Sequence, residues 1–290
     1  MGAAGVGTVG RSRVAVVIGS GSVKCAAALG LFKVLRREAI PIDMVVGCSG
    51  GAIYAAMTAF GWDVDDAERK TRTLWTRELT RRRNTRAMLR AILPQVFGFD
   101  ERFGLVDDRR ILARLQDAFG DARVEEARIA LHLTATDFHT GEQAVFSRGR
   151  AVDAIRASIA IPYIFQPWTV EGRTYVDGFL SDPMPIGVAI KEGADVIITM
   201  GFESPYQTNV SSVLRFAFQL SSITSNNLLK ANYAFHNLAH HHEILPIIPQ
   251  FQQKIHLFDT EKIPYVIEEG ERAAEKQIPY LRQLVAPRGA

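Results

Sequence analysis

Two short apolar runs, each closed by a glycine-rich turn and followed by a helical stretch, restrict the fold of this chain more than any other feature. Val14 to Ile18 is β-branched and ends in Gly19-Ser20-Gly21-Ser22, after which Ala26 to Glu38 has helical composition. Ile42 to Val46 repeats the pattern, ends at Gly47 and precedes a predicted helix from Gly50 to Phe60. Buried strands that alternate with helices form a parallel sheet covered by helices. The sequence therefore predicts an α/β fold.

The rest of the chain adds strands to this sheet and two helical regions outside it. The predicted strands are Ile129 to Thr136, Gln143 to Phe146, a hairpin around Glu171-Gly172, Val196 to Met200, and Ile244 to Ile248. The helical regions are residues 64–120 and Ser211 to His242, and neither has a place in the sheet. No Gly/Ser or Pro linker divides the chain, so we predict one domain. Residues 1–12 are small and polar and predict a disordered N-terminus.

Composition excludes several classes of protein. Of the 290 residues, 47% are hydrophobic, which is enough for a substantial core, and a net charge of +3 argues against a histone-like polycation. The two cysteines, Cys25 and Cys48, exclude a disulfide scaffold. The N-terminus lacks the pattern of a secretory signal, and no window is apolar over the length of a bilayer. We therefore expect a cytoplasmic protein.

A candidate nucleophile lies at the second glycine turn. Gly47-Cys48-Ser49-Gly50-Gly51 fits G-x-S-x-G at the point where an apolar strand turns into a helix. Such a turn leaves no room for side chains beside the serine, and it presents the hydroxyl near a helix N-terminus that favours negative charge. This context predicts Ser49 as the nucleophile. The alternative is a glycine-rich connection with an incidental serine.

The first glycine turn is a candidate anion-binding loop. Backbone N–H groups of the loop Ser20, Gly21, Ser22 and Lys24 are placed to hold the oxyanion of a tetrahedral intermediate. Dinucleotide binding is the competing interpretation, with Glu38 or Asp43 as the acid for the ribose. In that interpretation the third glycine of G-x-G-x-x-G falls on Lys24, which breaks the fingerprint.

A serine nucleophile needs a proton acceptor, and Asp177 is the preferred candidate. It ends a predicted strand at an Asp-Gly step, so ordinary turn chemistry explains it equally well on composition. Asp137 and Asp153 are rivals. Asp153 resembles a cap of the following helix, and Asp137 ends another strand.

Taken together, these sites resemble the patatin-like phospholipase family, in particular its bacterial branch. The order of glycine loop, G-x-S-x-G and Asp-Gly agrees with that family, and so do the intervening stretches. The matching segments are Thr134 to Asp137 with Thr140-Gly141-Glu142, Ala157 to Phe165, Asp177-Gly178-Phe179 to Pro185, and Gly270 to Ala274. The resemblance implies a patatin-like domain over residues 13–286. It also implies a three-layer α/β/α sandwich with a central, mostly parallel sheet, plus added helices.

The family's chemistry is then the expectation for this chain. The resemblance implies a Ser49–Asp177 dyad without histidine, an oxyanion hole from Ser20 to Lys24, and hydrolysis of acyl esters in phospholipids or lysophospholipids without metal or cofactor. The chain departs from the family at four positions. The family usually has glycine at the positions of Ser20, Ser22 and Cys25, and glycine or alanine at the position of Phe179. If the loop requires φ > 0, each serine costs about 1 kcal/mol.

Two other functions compete with this expectation. An α/β-hydrolase triad would take its base from one of the later histidines, namely His236, His240, His241, His242 or His256. A lipid-binding or assembly protein of the same fold would be inactive. In the histidine cluster only His236 and His240 have the i,i+4 spacing that a metal site on a helix would use, so we prefer a polar helix end to a metal site.

The predicted partners include a lipid surface but no nucleic acid. The stretch from Arg69 to Arg90 carries nine Arg or Lys residues against the single acid Glu78. Such a stretch is either a solvated face or a peripheral contact with an anionic membrane. It lacks the interleaved aromatic residues of a nucleic-acid site. The sequence leaves homo-oligomerisation open.

Overall fold

One sheet lies at the centre of the computed structural model, which describes residues 11–74, 84, 98, 100–239, 242–257 and 259–286. Its strands follow the order β5-β6-β3-β2-β1-β7-β8, and β4 pairs with β3. They are β1 (Val14–Ile18), β2 (Met44–Cys48), β3 (Ala130–Asp137), β4 (Gln143–Phe146), β5 (Trp168–Val170), β6 (Arg173–Asp177), β7 (Val196–Met200) and β8 (Glu243–Ile247). The central pairs β1–β2, β1–β7, β2–β3 and β7–β8 are parallel.

Helices cover both faces of this sheet and complete three layers. In the described part of the chain they are α1 (Ala27–Arg37), α2 (Gly50–Ala59), α3 (Val64–Leu74), α4 (Arg109–Phe119), α5 (Ala151–Ser158), α6 (Ile186–Lys191), α7 (Val213–Ala239), α8 (Ile263–Glu275) and α9 (Ile278–Val285). Val14, Val16 and Ile18 of β1 pack in a core with residues of α1, α2 and α8. Ala15 and Val17 pack on the other face with α6 and Leu229 of α7. The predicted three-layer α/β/α sandwich is confirmed.

Strand register brings the ends of distant segments together at one edge of the sheet. Ile18 pairs with Gly47, so the first and second glycine turns lie side by side. On β3, Thr134 pairs with Cys48 and the next residue, Ala135, pairs with Asp177. The ends of β2 and β6 are therefore neighbours although they are far apart in the sequence.

Most predicted elements agree with the structure, and the second strand is the main difference. We predicted it from Ile42 to Val46, but β2 runs from Met44 to Cys48. The Asp43 carboxylate accepts a hydrogen bond from the Val14 N–H at 2.8 Å and pairs with Arg11 at 2.6 Å. Asp43 is thus used to anchor the start of β1, and the ladder begins one residue later.

The predicted disordered N-terminus falls largely outside the described residues, which begin at Arg11. Arg11 forms the ion pair with Asp43, and Ser12 is buried, so the domain packs these two residues as well. Much of the basic stretch also lies outside the described residues. Within its described part, Arg69 pairs with Asp66 and Arg72 with Glu68. Across the described residues, no helix combines the length and hydrophobicity that a membrane span needs.

Candidate active site

Ser49 lies at a sharp turn between β2 and α2. Its backbone has φ 55° and ψ −128°, a conformation that costs a non-glycine residue about 1–3 kcal/mol. The flanking glycines have no space for a side chain. A Cβ at Gly50 would lie 2.7 Å from the Ser22 carbonyl oxygen, and one at Gly51 would lie 2.4 Å from that of Ile18. The glycines therefore allow the turn to pack directly against the first glycine loop.

Ser49 and Asp177 are in direct contact. The Ser49 hydroxyl donates a hydrogen bond to Oδ2 of Asp177 at 2.7 Å, and the Phe179 N–H donates to Oδ1 at 3.1 Å. The Asp177 side chain also caps the short 3-10 turn Gly178–Leu180, so the turn role and the contact with the serine coexist. Ser49 is 6% exposed and Asp177 is fully buried. The pair is therefore shielded from bulk water.

Burial changes the acidity of this carboxyl group. Removal from water disfavours the charged form and raises the pKa of Asp177 to about 7, against the opposing effect of the hydrogen bonds from Ser49 and Phe179. A group with this pKa exchanges a proton readily near neutral pH. The geometry thus supplies a proton acceptor that an exposed aspartate would not.

Ser158 supports the turn in a way that the sequence did not reveal. The Ser49 N–H donates a hydrogen bond of 2.8 Å to the Ser158 hydroxyl, and Ser158 is fully buried at the end of α5. Ser158 belongs to a segment that carries the family resemblance, but we assigned it no role. The available signal was a serine within the apolar stretch Ala157 to Ile161.

The loop that we predicted as an oxyanion hole lies beside Ser49. Within the described chain, the N–H groups of Gly21 and Ser22 have no protein acceptor, whereas that of Ser20 donates to the Pro183 carbonyl at 2.9 Å. Ser22 has φ 54°, and its hydroxyl donates to the Leu257 carbonyl at 2.7 Å. Of the two serines that replace glycines, only Ser22 therefore adopts the left-handed conformation.

Lys24 and the two cysteines occupy distinct positions around the loop. The Lys24 ammonium donates to the Glu203 carbonyl at 2.9 Å, and partial burial lowers its pKa. Cys25 contacts the Gly19 carbonyl at 3.4 Å. Cys48 contacts the Asp182 carbonyl at the same distance. Burial raises the pKa of both thiols, so neither is an activated nucleophile.

Ser49 lines a cavity of about 440 Å³, which we call the catalytic cavity. Its lining joins the oxyanion loop and Ser49 to apolar side chains and to a few polar ones. The apolar lining includes Ile161, Ile164, Phe179, Phe218 and Ile255, and the polar lining includes Lys24, Glu203, Gln207 and His256. The cavity thus offers both an apolar wall and polar groups within reach of the serine.

The histidines that could serve as the base of a catalytic triad lie in different parts of the structure. His256 lines the catalytic cavity, whereas His236 is packed beside Gly187 of α6. His242 directly precedes β8, and His240 and His241 lie outside the described residues.

The two rival aspartates bind elsewhere. Asp137 accepts from the N–H groups of His139 and Thr140 in a turn. Asp153 accepts from the Trp168 indole at 3.1 Å, and the helix cap position that we predicted for it belongs to Arg150.

The acids that dinucleotide binding would require are engaged in ion pairs. Glu38 pairs with Arg37 and Arg282, and Asp43 pairs with Arg11. Neither carboxylate is available to a ribose hydroxyl in this arrangement. This arrangement of the two acids argues against dinucleotide binding at the first glycine loop.

Comparisons with known proteins show which sequences and structures this chain is similar to. An uncharacterized NTE family protein of Mycobacterium tuberculosis is 32% identical over 188 residues, which cover 65% of this chain and 48% of that protein. Lysophospholipase NTE1 of Kluyveromyces lactis is 22% identical over 193 residues, which cover 67% of this chain and 13% of that protein. The crystal structure of VipD from Legionella pneumophila aligns with 93% of this chain and 67% of its own, at 14% identity and a TM-score of 0.48.

The chain spans about half the length of the mycobacterial relative and a small part of the yeast one. A family model described as patatin-like phospholipase matches residues 16–190, which is more than half of the chain and includes both Ser49 and Asp177. The chain therefore belongs to the patatin-like phospholipase family.

Proposed function

We propose that this protein is a serine acyl-hydrolase that cleaves fatty acyl esters of phospholipids or lysophospholipids through a Ser49–Asp177 dyad. The observation that carries the proposal is the 2.7 Å hydrogen bond from the Ser49 hydroxyl to a fully buried carboxylate, at the floor of a partly apolar cavity. The family and the lysophospholipase name of the yeast relative support a lipid substrate.

The first half of the reaction forms an acyl-serine. Asp177 takes the hydroxyl proton as Ser49 Oγ attacks the ester carbonyl carbon. The resulting oxyanion accepts hydrogen bonds from the Gly21 and Ser22 N–H groups, assisted by the N-terminus of α2. The C–O bond to the alcohol then breaks, and the proton on Asp177 passes to the leaving alcohol oxygen.

The second half returns the enzyme to its starting state. A water molecule attacks the acyl-serine carbonyl while Asp177 accepts one of its protons. The bond to Ser49 Oγ breaks, the proton returns to Oγ, and the fatty acid leaves. A pKa of about 7 suits Asp177 to both proton transfers at neutral pH.

Ser158 contributes to this reaction by position. The Ser158 hydroxyl accepts the hydrogen bond from the Ser49 N–H and so stabilises the strained backbone conformation of Ser49. This hydrogen bond keeps the Ser49 Oγ directed at the substrate. Because Asp177 acts without a histidine, we expect modest turnover and strong dependence on the oxyanion loop.

Trapping with a fluorophosphonate tests the proposal directly. The wild-type protein should hydrolyse 4-nitrophenyl hexanoate and carry the label on Ser49, as shown by peptide mapping. Ser49→Ala should lose both labelling and hydrolysis while keeping its melting temperature within a few degrees. Retention of most of the wild-type kcat in that variant would refute Ser49 as nucleophile. A wild-type protein that binds phospholipid but hydrolyses no ester would favour the inactive lipid-binding alternative.

A further inference from the structure

A second apolar compartment adjoins the catalytic cavity. It is a groove of about 860 Å³ beside α7, which we call the α7 groove. Its walls include Phe103, Phe138, Tyr163, Leu180, Phe216 and Leu220. Phe179 and Ser221 line both compartments, so the groove and the catalytic cavity lie side by side. The two compartments are therefore candidate sites for two parts of one molecule.

The groove leaves large apolar side chains in water. Val213 is 87% exposed, Phe216 55% and Leu220 50%, at positions three and four residues apart along one face of α7. Tyr163 and Leu180 of the opposite wall are also exposed. A contiguous apolar surface of this kind beside an active site is typical of a binding surface for an apolar ligand.

Charge separates the roles of the two compartments. Among the described residues that line the α7 groove are the acids Glu101 and Asp137 and no lysine or arginine, so this part of the groove does not attract an anionic head group. The catalytic cavity has Lys24, Glu203 and His256 among its lining residues, together with several serines and an apolar wall. The polar groups of a lipid and the chain being cleaved therefore fit the catalytic cavity, and further hydrocarbon fits the groove.

Phe179 stands at the junction and departs from the usual family motif. The patatin-like motif has a small residue after Asp-Gly, whereas here an aromatic ring forms a wall shared by the two compartments. Its backbone N–H is bound to Asp177, which ties the ring to the reacting groups. A substrate with its ester carbonyl at Ser49 meets this ring on the way into the groove.

We propose that the α7 groove binds the second acyl chain of a diacyl glycerophospholipid whose scissile ester lies at Ser49, with Phe179 separating the two chains. This inference rests on the proposed function and narrows its substrate from acyl esters in general to two-chain lipids. The groove is largely apolar, unoccupied by other described side chains and adjacent to the catalytic cavity, with which it shares Phe179 and Ser221. A lysophospholipid lacks the chain that would fill it.

The test compares three hexanoyl esters presented as monomers below their critical micelle concentrations. They are 1,2-dihexanoyl phosphatidylcholine, 1-hexanoyl lysophosphatidylcholine and 4-nitrophenyl hexanoate. Each buried methylene contributes about a fourfold gain in binding, so the wild-type kcat/KM should favour the two-chain lipid over the lysolipid by at least about tenfold. Monomers are essential, because a surface that merely docks on aggregated lipid confers no preference among them.

The variant Leu220→Asp places a charge in the groove, and Leu238→Asp is its matched control. Leu238 lies on the same helix, is 89% exposed and does not line the groove. Leu220→Asp should lower the ratio of kcat/KM for the diacyl lipid to that for the lysolipid at least about tenfold, which removes the gain from the second chain. Leu238→Asp should leave the ratio within twofold. Circular dichroism checks folding, and Phe216→Ser replaces Leu220→Asp if that variant does not fold.

Each outcome decides the proposal. An unchanged ratio in the groove variants, or a wild-type preference for the lysolipid, overturns it while hydrolysis of the aryl ester leaves the proposed function intact. The assay is repeated with micellar lipid. If Leu220→Asp lowers kcat/KM for micellar lipid but not for monomers, the groove docks on a lipid surface, which also overturns second-chain binding. Failure to hydrolyse any of the three esters would overturn the proposed function and this inference with it.

Discussion

Replacement of Asp177 by asparagine should remove activity and stabilise the protein. The amide is nearly isosteric with the carboxylate, and it can keep both contacts. Its Oδ1 can accept from the Phe179 N–H and its Nδ2 can donate to the Ser49 hydroxyl. The variant loses only the proton acceptor, and loss of a general base lowers kcat by about 10²- to 10⁴-fold.

The stability gain follows from the shifted pKa. Burial raises the pKa of Asp177 from 3.8 to about 7, so the folded protein binds this proton more tightly than the unfolded chain does. Between these two values the folded state holds more protons, and the free energy of unfolding falls as pH rises. At 1.36 kcal/mol per unit of pKa, the ionised carboxylate costs about 4 kcal/mol above pH 7. Asparagine avoids that cost.

Urea unfolding of wild type and Asp177→Asn at pH 5 and pH 8 measures the effect. The variant should be more stable at both values, and its advantage should grow by about 3 kcal/mol between them because the wild-type carboxyl ionises over that range. Asp137→Asn is the control, because backbone hydrogen bonds lower the pKa of that half-buried carboxyl and no stabilisation at pH 8 is expected. An advantage for Asp177→Asn that does not change with pH would refute a buried carboxyl with a raised pKa.

Three further predictions concern the base and its surroundings. Single Ala substitutions at His236, His240, His241, His242 and His256 should each keep kcat within about threefold of wild type. A folded histidine variant as inactive as Asp177→Asn would instead identify a triad, and His256 is the first to test because it lines the catalytic cavity. The acid limb of kcat/KM should lie near pH 7 and barely move with temperature, because ionisation of a carboxyl group has little enthalpy; a limb that shifts strongly on warming would indicate an imidazole. Ser158→Ala leaves the buried Ser49 N–H without its acceptor, so the free energy of unfolding should fall by about 1–3 kcal/mol, and kcat should fall as well. Ser158→Thr keeps the hydroxyl and should retain more of both the stability and the kcat. Equal losses in the two Ser158 variants would contradict the hydrogen-bond role.

Local patterns in the sequence predicted the elements that local physics controls. The strands Val14–Ile18, Gln143–Phe146 and Val196–Met200 have the predicted bounds, because continuous apolar runs between turn residues need no distant information. The turn at Ser49 was equally readable, since the strain of a strand-to-helix corner is a property of the few residues that form it. The start of β2 was not, because it depends on how Asp43 pairs with Arg11 and with the N–H of Val14.

Only the tertiary structure shows which of the candidate bases contacts Ser49. Asp137 and Asp177 both end strands before turn residues, and nothing in their immediate sequence separates them without the family resemblance. Asp177 and Ser49 are 128 residues apart in the chain, and they meet because β3 pairs with β2 and β6 at successive positions. The raised pKa of Asp177, the hydrogen bond from Ser49 to Ser158 and the α7 groove arise in the same way. Each depends on which distant surfaces exclude water from a group, and only the packed chain determines that.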